Sequence, residues 1–181
     1  MNHAPPPARL GFLYPGHAAE DDYPLMGSMV RPPAQVSVIH TEFLEDAHTV
    51  EALSEMGSLH RLTEGAEKLA GSGIESVMWT STSASFVLGL DGIRQQIDTL
   101  EKVLGIPAST TAMAFARAVK AIGAKRVAIA ATYPEEVAQR FRGFLDHFEI
   151  DVVHLSSRGI VTAAEVGTLE REEVIDFALA N

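Results

Sequence analysis

The chain contains no cysteine. Within these 181 residues that excludes disulfides, thiolate metal sites and a cysteine nucleophile. Basic residues are few: 14 Lys and Arg stand against 24 Asp and Glu, for a formal net charge of −10. A surface that acidic argues against nucleic acid or an anionic membrane as the main partner. An anionic ligand must then be held by a local site, not by the overall field. No run of about 18 apolar residues occurs, so no segment reads as a membrane span. The opening Met1-Asn2-His3-Ala4-Pro5-Pro6-Pro7 lacks the apolar stretch of a secretory signal and reads as an extended tail over residues 1–8. A cytoplasmic location is the expectation. Neither a Gly-x-Gly-x-x-Gly after a strand nor a P-loop is present, so nucleotide binding has little support.

What is present is the composition of a globular chain: 46% hydrophobic and 21% charged residues, which rules out wholesale disorder. Apolar segments at 10–14, 36–40, 74–80, 126–131 and 150–155 read as buried strands. Helical spacing marks 49–70 (Val50, Leu53, Met56, Leu59, Leu62, Ala66, Leu69), 93–104, a helix capped by Thr110 or Thr111 and running to Ala121, 134–148 and 162–180. Strands alternating with helices imply parallel βαβ units and an α/β, doubly wound sheet.

The pattern restarts once. The first strand ends Leu13-Tyr14-Pro15 and the fourth precedes Thr132-Tyr133-Pro134, and acids follow both. This predicts two similar halves, 9–123 and 124–181. The second is expected to be incomplete, because the counterpart of the polar loop at Ser81 falls past Asn181 and the last helix has an apolar face but no strand to pack on.

Thr80-Ser81-Thr82-Ser83-Ala84-Ser85-Phe86 is the most informative stretch, with five hydroxyl residues following a strand. In open α/β sheets ligands bind beyond the carboxyl ends of strands. Amides and hydroxyls there can hold a carboxylate or a developing oxyanion. The plainer reading is a helix cap, since Ser and Thr are common caps. Other groups take plain readings. Glu20, Asp21 and Asp22 form a solvated acidic turn rather than a metal site. His40, His48 and His60 share no helical face for zinc, so no metal is expected. Trp79 reads as core with an N–H that needs a partner, and Met26, Met29, Met56, Met78 and Met113 read as core fillers.

Strand–Thr-Ser-x-Ser-Phe, the stretch Ala131 to Val137 and the initial Gly-Phe-Leu-Tyr-Pro together resemble the Asp/Glu racemase superfamily, in its branch of maleate cis-trans isomerases and arylmalonate decarboxylases. The likeness runs from Arg9 onward. It implies two pseudo-symmetric doubly wound halves with the active site between them, and no metal or organic cofactor. It implies that Thr82 and Ser83 bind one substrate carboxylate and that Tyr133 donates to it from the other half. Ser81 takes the position of the first cysteine of racemases and isomerases. Decarboxylases lack that cysteine and keep a second-half cysteine as proton donor, which here would lie beyond Asn181. Isomerases also carry an Asn after the first strand, where this chain has Pro15-Gly16-His17-Ala18-Ala19.

Both departures lean toward a lyase resembling arylmalonate decarboxylase, which stabilises an enediolate of a small carboxylate or dicarboxylate. The alternatives are a maleate-type isomerase or Asp/Glu-type racemase, and a non-catalytic domain binding small carboxylates. Pro15, Gly16 and His17 are candidate pocket residues. A Ser81–His17 hydrolase is a weaker reading, because no Gly-x-Ser-x-Gly elbow surrounds Ser81. The expected partner is a small carboxylate substrate, with association into a homo-oligomer favoured by exposed sheet edges.

Overall fold

A computed structural model describes residues 6–17 and 19–181. Most of the expected tail, Met1 to Pro5, and Ala18 of the first loop lie outside the described residues. The elements run β1 (Arg9–Tyr14), α1 (Asp22–Met29), β2 (Gln35–His40), α2 (Val50–Met56), α3 (Leu59–Leu69), β3 (Ser76–Trp79), α4 (Ser83–Phe86), α5 (Gly89–Leu104), β4 (Ala108–Thr110) and α6 (Thr111–Ala121). Then follow β5 (Arg126–Ala131), α7 (Glu135–Asp146), β6 (Asp151–Ser157), α8 (Ala163–Val166) and α9 (Arg171–Leu179).

The first half is a four-stranded sheet of order β2-β1-β3-β4, and the second a two-stranded sheet, β5-β6. Every pairing is parallel. The chain leaves β1 toward β2 on one side and returns to β3 on the other. The crevice beyond the carboxyl ends of β1 and β3 is therefore the switch point at which such sheets bind ligands. Tyr14 and Trp79 end those two strands, so the Pro15-Gly16-His17 loop and the hydroxyl stretch open onto the same end of the sheet.

Leu13, Leu62, Ala66, Trp79, Ile93 and Leu100 fill the first-half core and are fully buried. Val137, Ala138, Phe144, Ile150 and Val152 do the same around α7 and β6. The halves share one aromatic seam. Phe86, the last residue of α4, lies 5.8 Å from the Tyr133 ring and 5.0 Å from Phe141. Phe141 in turn meets Phe115 at 5.6 Å and Phe144 at 6.2 Å.

Several expected elements are divided. The apolar spacing over 49–70 is real, but it belongs to two helices broken at Gly57-Ser58. A Cβ at Gly57 would strike the Ala84 carbonyl, and Gln96 donates to both Gly57 O (2.8 Å) and Ala84 O (2.9 Å). The chain must turn there to let α4 approach. Ser58 then caps α3 by accepting from the Arg61 amide. The expected final helix is likewise two, with Thr162 capping α8 and a Glu170–Glu173 capping box opening α9. Helix α1 is an addition; its DYPLMGSM sequence has Pro, Gly and no apolar stripe, and only Gly27 is buried. Strand β4 has three residues and no periodicity to betray it.

Met56 is core, as expected, but Met26 and Met29 are exposed and Met78 and Met113 only half-buried. The two exposed methionines lie on α1, which packs chiefly on edge strand β2. The Trp79 indole is fully buried and its Nε1 has no hydrogen-bond partner among the described residues.

Candidate active site

The five hydroxyls of the polar stretch divide into two sets. Thr80 Oγ1 donates to the Leu13 carbonyl at 2.6 Å, tying the end of β3 to β1. Ser81 Oγ accepts from the Ala84 amide at 3.3 Å and so caps α4. Ser85 Oγ donates back to the Ser81 carbonyl at 3.0 Å. Those three are structural. Thr82 and Ser83 are half-buried, and neither hydroxyl has a protein partner among the described residues. The helix-cap reading is therefore right for Ser81 and leaves Thr82 and Ser83 unspent.

Tyr133 lies just past β5, packed between the Phe86 ring and the imidazole of His48, whose centroid is 6.0 Å away. Its carbonyl accepts from Ser157 Oγ at 2.7 Å, which fixes the backbone, while its phenol has no partner among the described residues. Burial raises its pKa, because the desolvated phenolate is disfavoured. The group is thus held as an O–H donor across the physiological range. Phe86 stands one helical turn from Ser83, so the ring touching Tyr133 and the free hydroxyl of Ser83 belong to the same four-residue helix.

The first loop is placed differently. Gly16 and His17 both adopt positive φ, +110° and +94°. For His17 that is a strained conformation. Its Nε2 points to Asp46 Oδ2 at 3.7 Å, and its ring packs on Phe43. Asp46 accepts from the Ala163 and Ala164 amides at 2.8 and 3.0 Å. Among the described residues Ser81 has no imidazole partner, so the geometry gives no Ser81–His17 pair.

Two residues belong to this end of the sheet that sequence reasoning gave no part in the site: His48, weighed only as a zinc ligand, and Tyr23. His48 donates its backbone amide to Val161 O, and its Nδ1 lies 2.8 Å from Ile160 O. A carbonyl only accepts, so Nδ1 carries the proton and Nε2 is left without a partner among the described residues. Tyr23 of α1 packs edge-on against Phe12 and Tyr14 and interacts with Thr80; burial raises its pKa, and the Thr80 hydrogen bond works against that. For Tyr23 the Tyr-Pro pair in an acidic, proline-containing segment was no signal of helix.

An apolar cavity of about 320 Å³ lies beside β5, lined by Val127, Ala128, Ile129, Ala130, Tyr133 and Phe141 among others. Four consecutive strand residues line it, which marks an edge of the strand rather than one face. Pro15, Gly16 and His17 do not line it. No group of His, Asp and Glu among the described residues is arranged to hold a metal ion, and no helix is long and apolar enough to cross a membrane.

The topology has known counterparts. The family model described as arylmalonate decarboxylase matches residues 28–181. The chain belongs to that family. No curated protein matches. Among solved structures, the maleate cis-trans isomerase of Nocardia farcinica carrying a succinylcysteine intermediate superposes with a TM-score of 0.84. It is 19% identical, over 96% of this chain and 73% of that one. The maleate isomerase of Pseudomonas putida with maleate gives 0.78 at 20% identity, over 90% and 68%. A doubly substituted arylmalonate decarboxylase in its liganded form gives 0.79 at 22% identity, over 96% and 71%. The fold is thus the two-half α/β arrangement, here with four strands in one half and two in the other.

Proposed function

We propose that the chain acts on a small carboxylate or dicarboxylate as a lyase of the arylmalonate decarboxylase type, with Thr82, Ser83 and Tyr133 as the carboxylate-binding donors. The observation that carries this is the division of hydroxyls: Thr80, Ser81 and Ser85 are consumed by the fold, while Thr82, Ser83 and the phenol of Tyr133, whose ring packs on Phe86 of α4, have no partner among the described residues. Hydroxyls that the fold does not use are free to donate to a ligand that displaces water from them.

In this reading the three donors hold the carboxylate that stays. The bond from the α-carbon to the other carboxylate breaks, carbon dioxide leaves, and the bonding pair moves onto the retained carboxylate as an enediolate. Charge on the held oxygens increases at that moment, so donors already in place stabilise the transition state more than the ground state. A proton from solvent water then adds to the α-carbon, leaving hydroxide. The residues here hold no thiol for that last step. Ser81, which the resemblance sets at the position of the first cysteine in racemases and isomerases, offers a hydroxyl and no thiol; this favours decarboxylation over thiol-dependent isomerisation. No metal or organic cofactor enters the reading.

The test compares phenylmalonate with maleate. Carbon dioxide release from phenylmalonate supports the lyase. Conversion of maleate to fumarate replaces it with the isomerase. Calorimetric binding of both without turnover, lost in Thr82→Ala and Tyr133→Phe, leaves a carboxylate-binding domain.

A further inference from the structure

Basic side chains at the carboxyl ends of the strands mostly face carboxylates. His17 faces Asp46 at 3.7 Å, His40 faces Glu20 at 3.4 Å and Arg158 faces Glu173 at 3.7 Å. Arg158 also lies over the Phe177 ring. His48 is different. Its Nδ1 is bound to a carbonyl, no carboxylate pairs with its ring among the described residues, and the ring stands at 77° against that of Tyr133. It is fixed on two sides, by the amide bond to Val161 O and the imidazole bond to Ile160 O, both from the second half. A ring held this way cannot rotate to exchange its nitrogens, so Nε2 keeps one direction.

We propose that His48 is the cationic member of the anion site: when protonated, its Nε2–H adds a full positive charge beside Tyr133 and selects for ligands whose bound group carries two negative charges. This rests on the reading that Tyr133, Thr82 and Ser83 hold a carboxylate. It adds what those three neutral donors lack. In a chain of net charge −10 a dianion is repelled by the overall field, and hydroxyls offset that only by dipoles. An imidazolium donor is charge-assisted and roughly twice as strong as a neutral one. On the lyase path the retained carboxylate becomes a dianionic enediolate, so the same charge is most favourable where the reaction is hardest.

The groups that face His48 bear on its protonation. Residues 160–164 of the second half contribute carbonyls and no ionisable side chain, and Tyr133 contributes a phenol kept neutral by burial. Asp46, on the same loop, is turned to the amides of Ala163 and Ala164 and to His17.

Sulfate and acetate are the probes, since sulfate keeps two charges and acetate one from about pH 5.5 to pH 8, the range in which imidazoles titrate. Calorimetry on the full chain should show sulfate binding weakening as pH rises through that range, by roughly tenfold, while acetate changes far less. His48→Gln keeps an amide N–H near the Nε2 position and cannot become cationic. It should flatten the sulfate profile and cost about tenfold in sulfate affinity at the acid end, with acetate affinity within about twofold. Where His48→Gln fails to fold, proton NMR of the parent protein gives the second reading. Sulfate should move the midpoint of the His48 titration upward by about one pH unit, the linked expression of a tenfold coupling. A sulfate profile unchanged in His48→Gln, or a His48 titration that sulfate does not move, overturns the proposal. If neither anion's binding responds to Thr82→Ala or Tyr133→Phe, the carboxylate reading itself has failed, and that result is separate from the behaviour of His48.

Discussion

Strands β1 and β5 occupy corresponding places in the two halves, and each leads into a Tyr-Pro at its carboxyl end. β1 is flanked by β2 and β3, and Leu13 and Tyr14 at its end are buried. β5 pairs only with β6, and its other edge borders the apolar cavity. The two strands show that a tyrosine can be placed at a sheet's end with one flank or with two. What differs is how it is held. Tyr14 packs against Tyr23 and His40 and accepts from the Ala19 amide, all within the first half. Tyr133 is held by Phe86 and His48, both from the other half. The second tyrosine is positioned across the boundary, and its role depends on the halves staying together.

The largest test of that contrast is Phe86→Ala. Phe86 is almost fully buried and contacts both Tyr133 and Phe141, so its loss should cost about 3–5 kcal/mol, read as a lower denaturant midpoint. A cost near that of an exposed phenylalanine would show that the halves are not joined there. Next come Thr82→Ala and Tyr133→Phe. Each should weaken binding of a small carboxylate by about 1–3 kcal/mol in calorimetry, one from each half; an effect from only one side would break the shared site.

A smaller effect concerns the open edge of β5. Unpaired strand edges favour association, so we expect the chain to self-associate in sedimentation experiments and Ala130→Lys, at an exposed edge position, to weaken it several-fold. A monomer at every concentration would remove the edge as an interface.

The smallest effect is alkaline. The buried tyrosines Tyr133 and Tyr23 have folded pKa values raised above the ordinary 10.0. Below that value both states are protonated and nothing changes. Above it the unfolded chain loses protons that the folded chain keeps, so stability falls as pH rises past about 10. Tyr133→Phe should flatten that fall more than Tyr23→Phe, because at Tyr23 the Thr80 hydrogen bond offsets part of the burial. Equal slopes would put the two halves on the same footing.

Much of this architecture was legible in the chain. Alternating apolar runs marked five of the six strands, because a buried parallel strand is a continuous apolar segment. The hydroxyl stretch at Thr80 marked the end of β3 and the start of a helix, but not which of its five side chains the fold would use, because Thr80, Ser81 and Ser85 bond to Leu13, Ala84 and the backbone of Ser81 itself. Short elements were not legible: β4 and α4 have three and four residues, too few for any period to show. The break at Gly57 was invisible because it answers to Ala84 and Gln96, which are distant in sequence. His48 was given no part in the site for the same reason. A lone histidine in an irregular loop says nothing until the chain brings Ile160, 112 residues away, against its ring.

The loop over 41–49 grips the second half through Asp46 and His48, which together make four hydrogen bonds to residues 160–164. A hinge opening between the halves must release that grip, and in doing so it frees the imidazole and uncovers one side of Tyr133. Separating the halves and uncovering the His48 ring are therefore a single mechanical event, since the same loop residues do both.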